Sequence, residues 1–410
     1  MQTHLAPEFQ HTADGQAAEA ILRKCVHCGF CTATCPTYQL LGDELDGPRG
    51  RIYLMKQVLE GAEVTRSTQQ HLDRCLTCRN CESTCPSGVE YGALVDIGRR
   101  IVDARVERPA TEKAARWLLK EGLTSPLFAP AMQLGQALRP LLPKTLKNKV
   151  PATTPAKPWP TREHARKVLM LTGCVQPAMM PNINSATARV LDAAGIQTLV
   201  AASAGCCGAL RSHLGDHEGG LADMRRNIDA WWPLVQANAV EAIVMNASGC
   251  GVMVKDYGHA LAADPAYAAK AARISDLTRD LSELLPELVD KLQGKVRPGA
   301  ASHLAFHPPC TLQHGQQLRG GVEMHLGALG FKVQVAGSES HLCCGSAGTY
   351  SVLQPTLAYQ LRDRKLQNLE PLGAQTIVSA NIGCIQHLQS GTATPVKHWV
   401  EVLDTAMVYA

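Results

Sequence analysis

Apolar residues follow two different periodicities along this chain. In the first hundred or so residues they recur at helical spacing, as in Arg51–Glu60 (RIYLMKQVLE) and Tyr91–Val106, which predicts a mainly helical region. After Pro160 the pattern changes to short continuous apolar runs, Val168–Leu171, Thr198–Ala201 and Ala242–Met245. These alternate with longer helical stretches such as Gly220–Val235. Alternation of strand and helix predicts α/β units built on a parallel sheet. Between the two regions Pro143, Pro151, Pro155, Pro158 and Pro160 lie among Lys and Thr and read as an extended linker.

The second region repeats itself. VLMLTGC, ending at Cys174, answers HLAFHPPC, ending at Cys310. LDAAGIQTLVA answers LGALGFKVQVA, GCCGA answers LCCGS, and AIVMNASGC answers TIVSANIGC. The offsets, 136, 135, 137 and 134 residues, agree closely enough to mark two homologous α/β lobes.

Composition narrows the class. Of 410 residues 45% are hydrophobic and 19% charged, which supports packed domains and excludes global disorder. A net charge of +4 is small for this length and gives no case for nucleic-acid binding. No apolar run is long enough to cross a membrane, and Met1–Gln10 has no apolar core of a secretory signal. Sixteen cysteines in such a chain point to the reducing cytoplasm and to metal or redox chemistry rather than disulfides.

Eight of those cysteines form two motifs, Cys25-x2-Cys28-x2-Cys31-x3-Cys35-Pro36 and Cys75-x2-Cys78-x2-Cys81-x3-Cys85-Pro86. This is the bacterial ferredoxin run for [4Fe–4S] clusters, in which the fourth cysteine serves the other cluster. Proline after that cysteine forces it into an extended conformation, away from the tight loop. The expected ligand sets are therefore crossed. Cys25, Cys28, Cys31 and Cys85 hold the first [4Fe–4S] cluster, and Cys75, Cys78, Cys81 and Cys35 the second. Two structural zinc sites are the alternative, though zinc prefers two Cys-x2-Cys pairs across a longer spacer. Arg23, Lys24, Arg49, Arg51, Arg74 and Arg79 flank the loops, either offsetting cluster charge or as ordinary solvated surface.

The lobes carry four cysteines each, Cys174, Cys206, Cys207 and Cys250, then Cys310, Cys343, Cys344 and Cys384. Adjacent cysteines point to opposite sides of an extended chain, so serving one centre needs a sharp turn, which Gly208 and Gly345 permit. A multi-iron cluster accepts neighbouring thiolates more easily than a single zinc ion does. Each cysteine follows a predicted strand or its turn, which gathers all four at the carboxyl edge of the sheet. Inert buried thiols and a redox dithiol remain alternatives. The expected organisation is α+β multidomain. A mainly helical, dicluster ferredoxin-like domain (1–110) is followed by a helical segment and linker (111–160), then by two repeated α/β Cys-Cys-Gly lobes (161–290 and 300–410).

Two ferredoxin motifs followed by two Cys-Cys-Gly domains resemble the iron–sulfur subunits of membrane-linked oxidoreductases. These include the anaerobic glycerol-3-phosphate dehydrogenase small subunit, lactate-utilisation proteins and heterodisulfide reductase. The stretches CPTYQLLGDELDGPRGRIYLMKQVLEG and LDRCLTCRNCESTCPSGVEYG are similar to the glycolate oxidase iron–sulfur subunit family in particular, over nearly the whole chain. The resemblance implies a non-catalytic subunit that passes electrons from flavin-containing partner subunits, which oxidise glycolate to glyoxylate. The acceptor would be a quinone at the inner face of the plasma membrane. The chain has no G-x-G-x-x-G fingerprint, Val254 standing where a third glycine would follow Gly249 and Gly251, so flavin is expected only on the partners. An iron–sulfur subunit of a lactate or glycerol-3-phosphate dehydrogenase, or a heterodisulfide-reductase-like thiol/disulfide enzyme, is the other reading. One departure stands out. The heterodisulfide-reductase type of lobe ends in Cys-x-x-Cys, and here those last positions are Met253 and His387. His387 makes lobe two the better candidate for a further iron–sulfur or other metal centre.

The segment Trp117–Val150 is rich in Leu and has a basic margin of Lys120, Arg139, Lys144, Lys147 and Lys149. Pro126, Pro130, Pro140 and Pro143 are expected to break it into short pieces. It either packs against the second lobe or a partner, or lies on a membrane surface.

Overall fold

The computed structural model describes residues 1–147, 149–297, 299 and 302–409, so the expected limits of the second lobe, 300 and 410, lie outside the described residues. The N-terminal region is helical. Its main helices are Ala13–Lys24, Pro48–Leu59, Arg66–Asp73 and Tyr91–Arg105. The first and third start on side-chain caps, Thr12 accepting from the Gly15 N–H and Thr65 from the Thr68 N–H. Their apolar faces close over Leu22, Ile52, Met55, Leu59, Leu72, Leu94 and Val95. That core fixes the two cysteine loops, which enter and leave these helices.

The proline-spaced stretch folds as short pieces, Ala110–Thr124, Phe128–Ala137, a turn at Arg139–Leu141 and Lys144–Lys147. Pro126, Pro140 and Pro143 sit at the breaks. Pro130 does not break its helix. It is the third residue of Phe128–Ala137, where the N–H it lacks would have had no partner inside the helix. Residues 151–164 carry no regular element.

Each lobe is built on a four-stranded parallel sheet. In lobe one β1 (Arg166–Met170), β2 (Ile196–Leu199), β3 (Ala242–Met245) and β4 (Thr278–Asp280) lie in the order β2-β1-β3-β4. In lobe two β5 (His303–Phe306), β6 (Lys332–Val335), β7 (Thr376–Ser379) and β8 (Val396–His398) repeat it as β6-β5-β7-β8. β3 and β7 are buried along their whole length, as central strands covered on both faces must be. β2 begins two residues earlier than the apolar run Thr198–Ala201 suggests, because Arg166 pairs with Ile196 and the sheet's register decides the boundary. The lobes share one apolar core, in which Ile183 and Leu191 join Leu304, Trp399 and Leu403. Arg189 pins that seam through a two-pronged ion pair to buried Asp404, at 2.7 and 2.8 Å.

Candidate metal centres

All sixteen cysteines are free. In the N-terminal region each ferredoxin-type loop turns through left-handed backbone at matching positions, His27 and Gly29 in the first, Thr77 and Arg79 in the second. The loop thus curls around its own thiols, and a short helical turn (Phe30–Ala33 or Asn80–Ser83) carries the third cysteine. One cavity is lined by Cys25, Cys28, Cys31 and Cys85, together with Cys81 and His27. A second is lined by Cys35, Cys75, Cys78 and Cys81, with Arg51 and Tyr91 beside them. Each cavity takes cysteines from both motifs, and thiols dominate the donors in each, a set that suits iron–sulfur clusters. The cavities differ in access. Cys28 is exposed in the first, whereas Cys35, Cys75 and Cys81 are buried in the second.

In the second cavity burial opposes negative charge on the thiols, and two arginines offset it at Cys75. Burial pushes the Cys78 and Cys81 thiols well up. Burial works the same way on Cys75, but Arg51 and Arg99 hold it below its ordinary value. The Thr77 N–H donates to Cys75 Sγ at 3.4 Å and the Tyr91 hydroxyl at 3.6 Å. Of the six flanking basic residues the sequence singled out, only Arg51 is buried. Arg23 pairs with Glu19, Lys24 with Glu90, Arg49 with Glu44, Arg74 with Asp46, and Arg79 with Asp256. Arg99 and Tyr91 escaped the sequence reading because they lie in a helix outside the motifs. Asp43, Asp46 and His71 also converge, but Asp46 already accepts from Arg51, Arg74 and His71, so that trio is an ion-pair network.

In lobe one Cys174, Cys206, Cys207 and Cys250 lie close enough for each thiol to shift the titration of its neighbours. Cys174 follows β1, the Cys206–Cys207 pair follows β2, and Cys250 lies in the first turn of the helix after β3, all at the carboxyl edge. The neighbouring Cys174 and Cys207 thiols, helped by the Gly208 and Leu210 N–H groups, pull the Cys206 thiol far down. Met253 packs into the lobe's apolar core.

Lobe two gathers the equivalent four. Cys310 and Cys343 Sγ lie 3.8 Å apart, and Cys344 and Cys384 Sγ lie within 4.8 Å of each other. Gly345 makes the turn at φ +89°, where an added Cβ would meet the Ala358 carbonyl at 2.5 Å. The buried Lys365 ammonium is bonded to the Glu339 and Ser340 carbonyls and adds positive charge near these thiols. The sequence expectation for His387 needs correcting. Its Nε2 bonds the Ala358 carbonyl at 3.0 Å and its ring stacks on Tyr359, so it is committed elsewhere. The imidazole that meets the thiols is His307, whose donor atom lies within 4.8 Å of Cys344 and Cys384. His307 lies in HLAFHPPC, where a lone histidine at the end of a strand carries no spacing signal of a ligand.

The N-terminal region docks its second loop onto the lobes. Asn80 Nδ2 donates to the His341 carbonyl at 3.2 Å, Ser83 Oγ meets His314 Nδ1 at 2.8 Å, and the Tyr350 hydroxyl donates to the Arg74 carbonyl at 3.1 Å. Leu76, Cys310, Cys343 and Tyr350 share one apolar cluster, with Cys78 packed against it. The second ferredoxin-type cavity therefore borders the lobe-two thiols.

Comparison with known proteins agrees with this layout. Residues 21–89 match a 4Fe-4S dicluster domain, and residues 168–255 and 304–389 each match a cysteine-rich domain. The glycolate oxidase iron-sulfur subunit of Escherichia coli is 56% identical over 99% of both chains. A probable glycolate oxidase iron-sulfur subunit of Bacillus subtilis is 30% identical over 94% of this chain and 91% of its own. Lactate utilization protein A of an Exiguobacterium species is 24% identical and matches 59% of this chain.

Proposed function

The chain belongs to the glycolate oxidase iron–sulfur subunit family, and from that premise we propose how its residues serve the complex. Cys25, Cys28, Cys31 and Cys85 would hold one [4Fe–4S] cluster, and Cys35, Cys75, Cys78 and Cys81 the other. Clusters bound there supply one-electron transfer at potentials set by charge, hydrogen bonding and solvent exposure. The observation that carries this reading is the pair of thiol-lined cavities, each drawing on both motifs. Arg51, Arg99 and the donors to Cys75 Sγ would stabilise negative charge at the second site, while burial there excludes water.

The donor of electrons would be a flavin-bearing partner that oxidises glycolate to glyoxylate, and the acceptor a quinone at the inner face of the membrane. Exposed Cys28 sits between Val26 and Phe30, themselves 68% and 62% exposed, and this apolar rim suits docking of the flavin partner. The domain limits 1–110, 161–290 and 300–410 follow the same reading. The apolar strip at Ala110–Ala137 would be a second partner surface.

Anaerobic purification tests the core of this. The expected result is at least eight irons and matching sulfide per chain. Cys35→Ser should perturb the cluster otherwise held by Cys75, Cys78 and Cys81. The chain alone should not oxidise glycolate, and adding the flavin partners should restore turnover. Zinc without iron or sulfide, or glycolate turnover by the flavin-free chain, would overturn the reading.

A further inference from the structure

The two lobes are repeats, and their backbones make the same hydrogen bond just past the first strand. In lobe one the Leu171 N–H donates to the Val244 carbonyl, and in lobe two the His307 N–H donates to the Val378 carbonyl. One place in the fold thus holds Leu171 in lobe one and His307 in lobe two, and both are buried, at 3% and 1% exposure. An apolar side chain needs no partner there, but an imidazole does. His307 has none, since neither Nδ1 nor Nε2 makes a hydrogen bond. Burying a polar group unpaired is costly, so an unpartnered ring at this depth calls for a ligand. The ring faces Cys344 and Cys384 within 4.8 Å. Pro308 and Pro309 hold the following backbone extended, and the Ser379 hydroxyl donates to the His307 carbonyl at 2.9 Å, so the ring is set in place by rigid neighbours.

We propose that His307 is a nitrogen ligand of an iron–sulfur centre in lobe two, completing a donor set with Cys310, Cys343, Cys344 and Cys384 that lobe one does not have. The proposal rests on the reading of this chain as an iron–sulfur subunit. The thiols divide in a way that suits a multi-iron centre. Cys344 and Cys384 belong to the interior core of the lobe, with His307 beside them, whereas Cys310 and Cys343 belong to the apolar cluster shared with Leu76. A neutral imidazole adds a donor without the negative charge that a thiolate at the same place would bring, which keeps the reduction potential of the centre higher. The centre would lie in the lobe that borders Cys78.

The test uses full-length chain purified anaerobically with and without nitrogen-15 histidine. The wild type should carry iron beyond the eight of the N-terminal sites, and its pulsed paramagnetic resonance should show histidine nitrogen coupling that changes with the label. His307→Ala should lose that coupling and the extra iron while keeping the N-terminal cluster signals, which report correct folding. His307→Cys should keep the iron, lose the nitrogen coupling and titrate at a lower potential. His387→Gln should keep both iron and coupling. Histidine coupling that survives His307→Ala, or extra iron in the wild type without any histidine coupling, would overturn the assignment. Eight irons and no more in the wild type would overturn it too while leaving the proposed function standing, whereas absence of the N-terminal signals in this experiment would count against that function itself.

Discussion

Arg51 shows how far a single residue can be judged from sequence. It was one of six basic residues near the cysteine loops, and nothing in their spacing set it apart. The fold buries it to 1% exposure, with Nε on the His71 carbonyl at 2.7 Å and the guanidinium on Thr37 and Asp46. Burial of a charge depends on elements that meet only in three dimensions, so it was not legible in the motif. The cysteines were legible, because their spacing is itself the constraint on the loop. His307 was not, because what marks it is the lack of a partner. Although its own burial opposes the charge, the Asp46 carboxylate and the Cys75 and Cys35 thiols beside Arg51 favour it. Arg51→Gln should destabilise the protein by about 1–3 kcal/mol, because Asp46 loses one of its three partners and the His71 carbonyl its donor. It should also lower the reduction potential of the second site, since a positive charge that favours the added electron is gone. Arg51→Lys should recover most of the potential and less of the stability. Redox titration and denaturant midpoints measure the two effects separately. An unchanged potential in Arg51→Gln would mean that Arg51 is structural only.

Among the elements, the central strands were legible because each carries a short apolar run, Val168–Met170, Ala242–Met245, Leu304–Phe306 and Ile377–Val378. β4 and β8, three residues each with an exposed middle residue, carry no such signal. β8 still matters, since it hands directly to the helix Trp399–Ala406 that joins the lobes. His398 caps that helix, its Nδ1 accepting from the Val400 N–H at 3.1 Å while Glu401 accepts from the His398 N–H. Burial pulls the His398 imidazole down to about 3. The sign follows from linkage. The unfolded chain binds this proton near pH 6.5 and the folded chain does not, so the stabilisation is complete above that value and is lost as pH falls towards 3. The loss approaches about 1.4 kcal/mol for each pH unit in that window. The denaturant midpoint of the lobes should therefore drop between pH 7 and 5. His398→Asn keeps a capping side chain but removes the titration, and it should flatten the drop. Equal slopes for wild type and variant would assign the acid sensitivity to other groups.

At the scale of the whole molecule the repeat and the order of its parts were legible, while the docking of the N-terminal loop onto lobe two was not. Asn80, Ser83 and Tyr350 make that contact across more than two hundred residues of sequence, through bonds that no local pattern encodes. The strip at Ala110–Ala137 poses the complementary question, since its apolar pattern was plain but its fate was not. The helices Ala110–Thr124 and Phe128–Ala137 bury no residue fully, and Trp117, Leu118, Leu127 and Leu134 are 62–74% exposed. Packing within the chain therefore does not cover them. Three of the basic residues that would face an anionic membrane are engaged inside the molecule. Lys120 pairs with Asp216 at 3.0 Å, Arg139 Nε donates to the Val150 carbonyl at 2.9 Å, and Lys149 Nζ donates to the Ser351 carbonyl at 3.1 Å. An exposed apolar strip with three of its five marginal cations so engaged fits a protein surface better than a lipid headgroup layer. Leu118→Glu with Leu134→Glu should weaken assembly with the other glycolate oxidase subunits at least about tenfold, or roughly 1.4 kcal/mol, while iron content and melting stay at wild-type values. The isolated chain should stay in the soluble fraction when floated with anionic liposomes at low salt. Flotation of the isolated chain that salt reverses, with assembly untouched by the double substitution, would give the strip to the membrane instead.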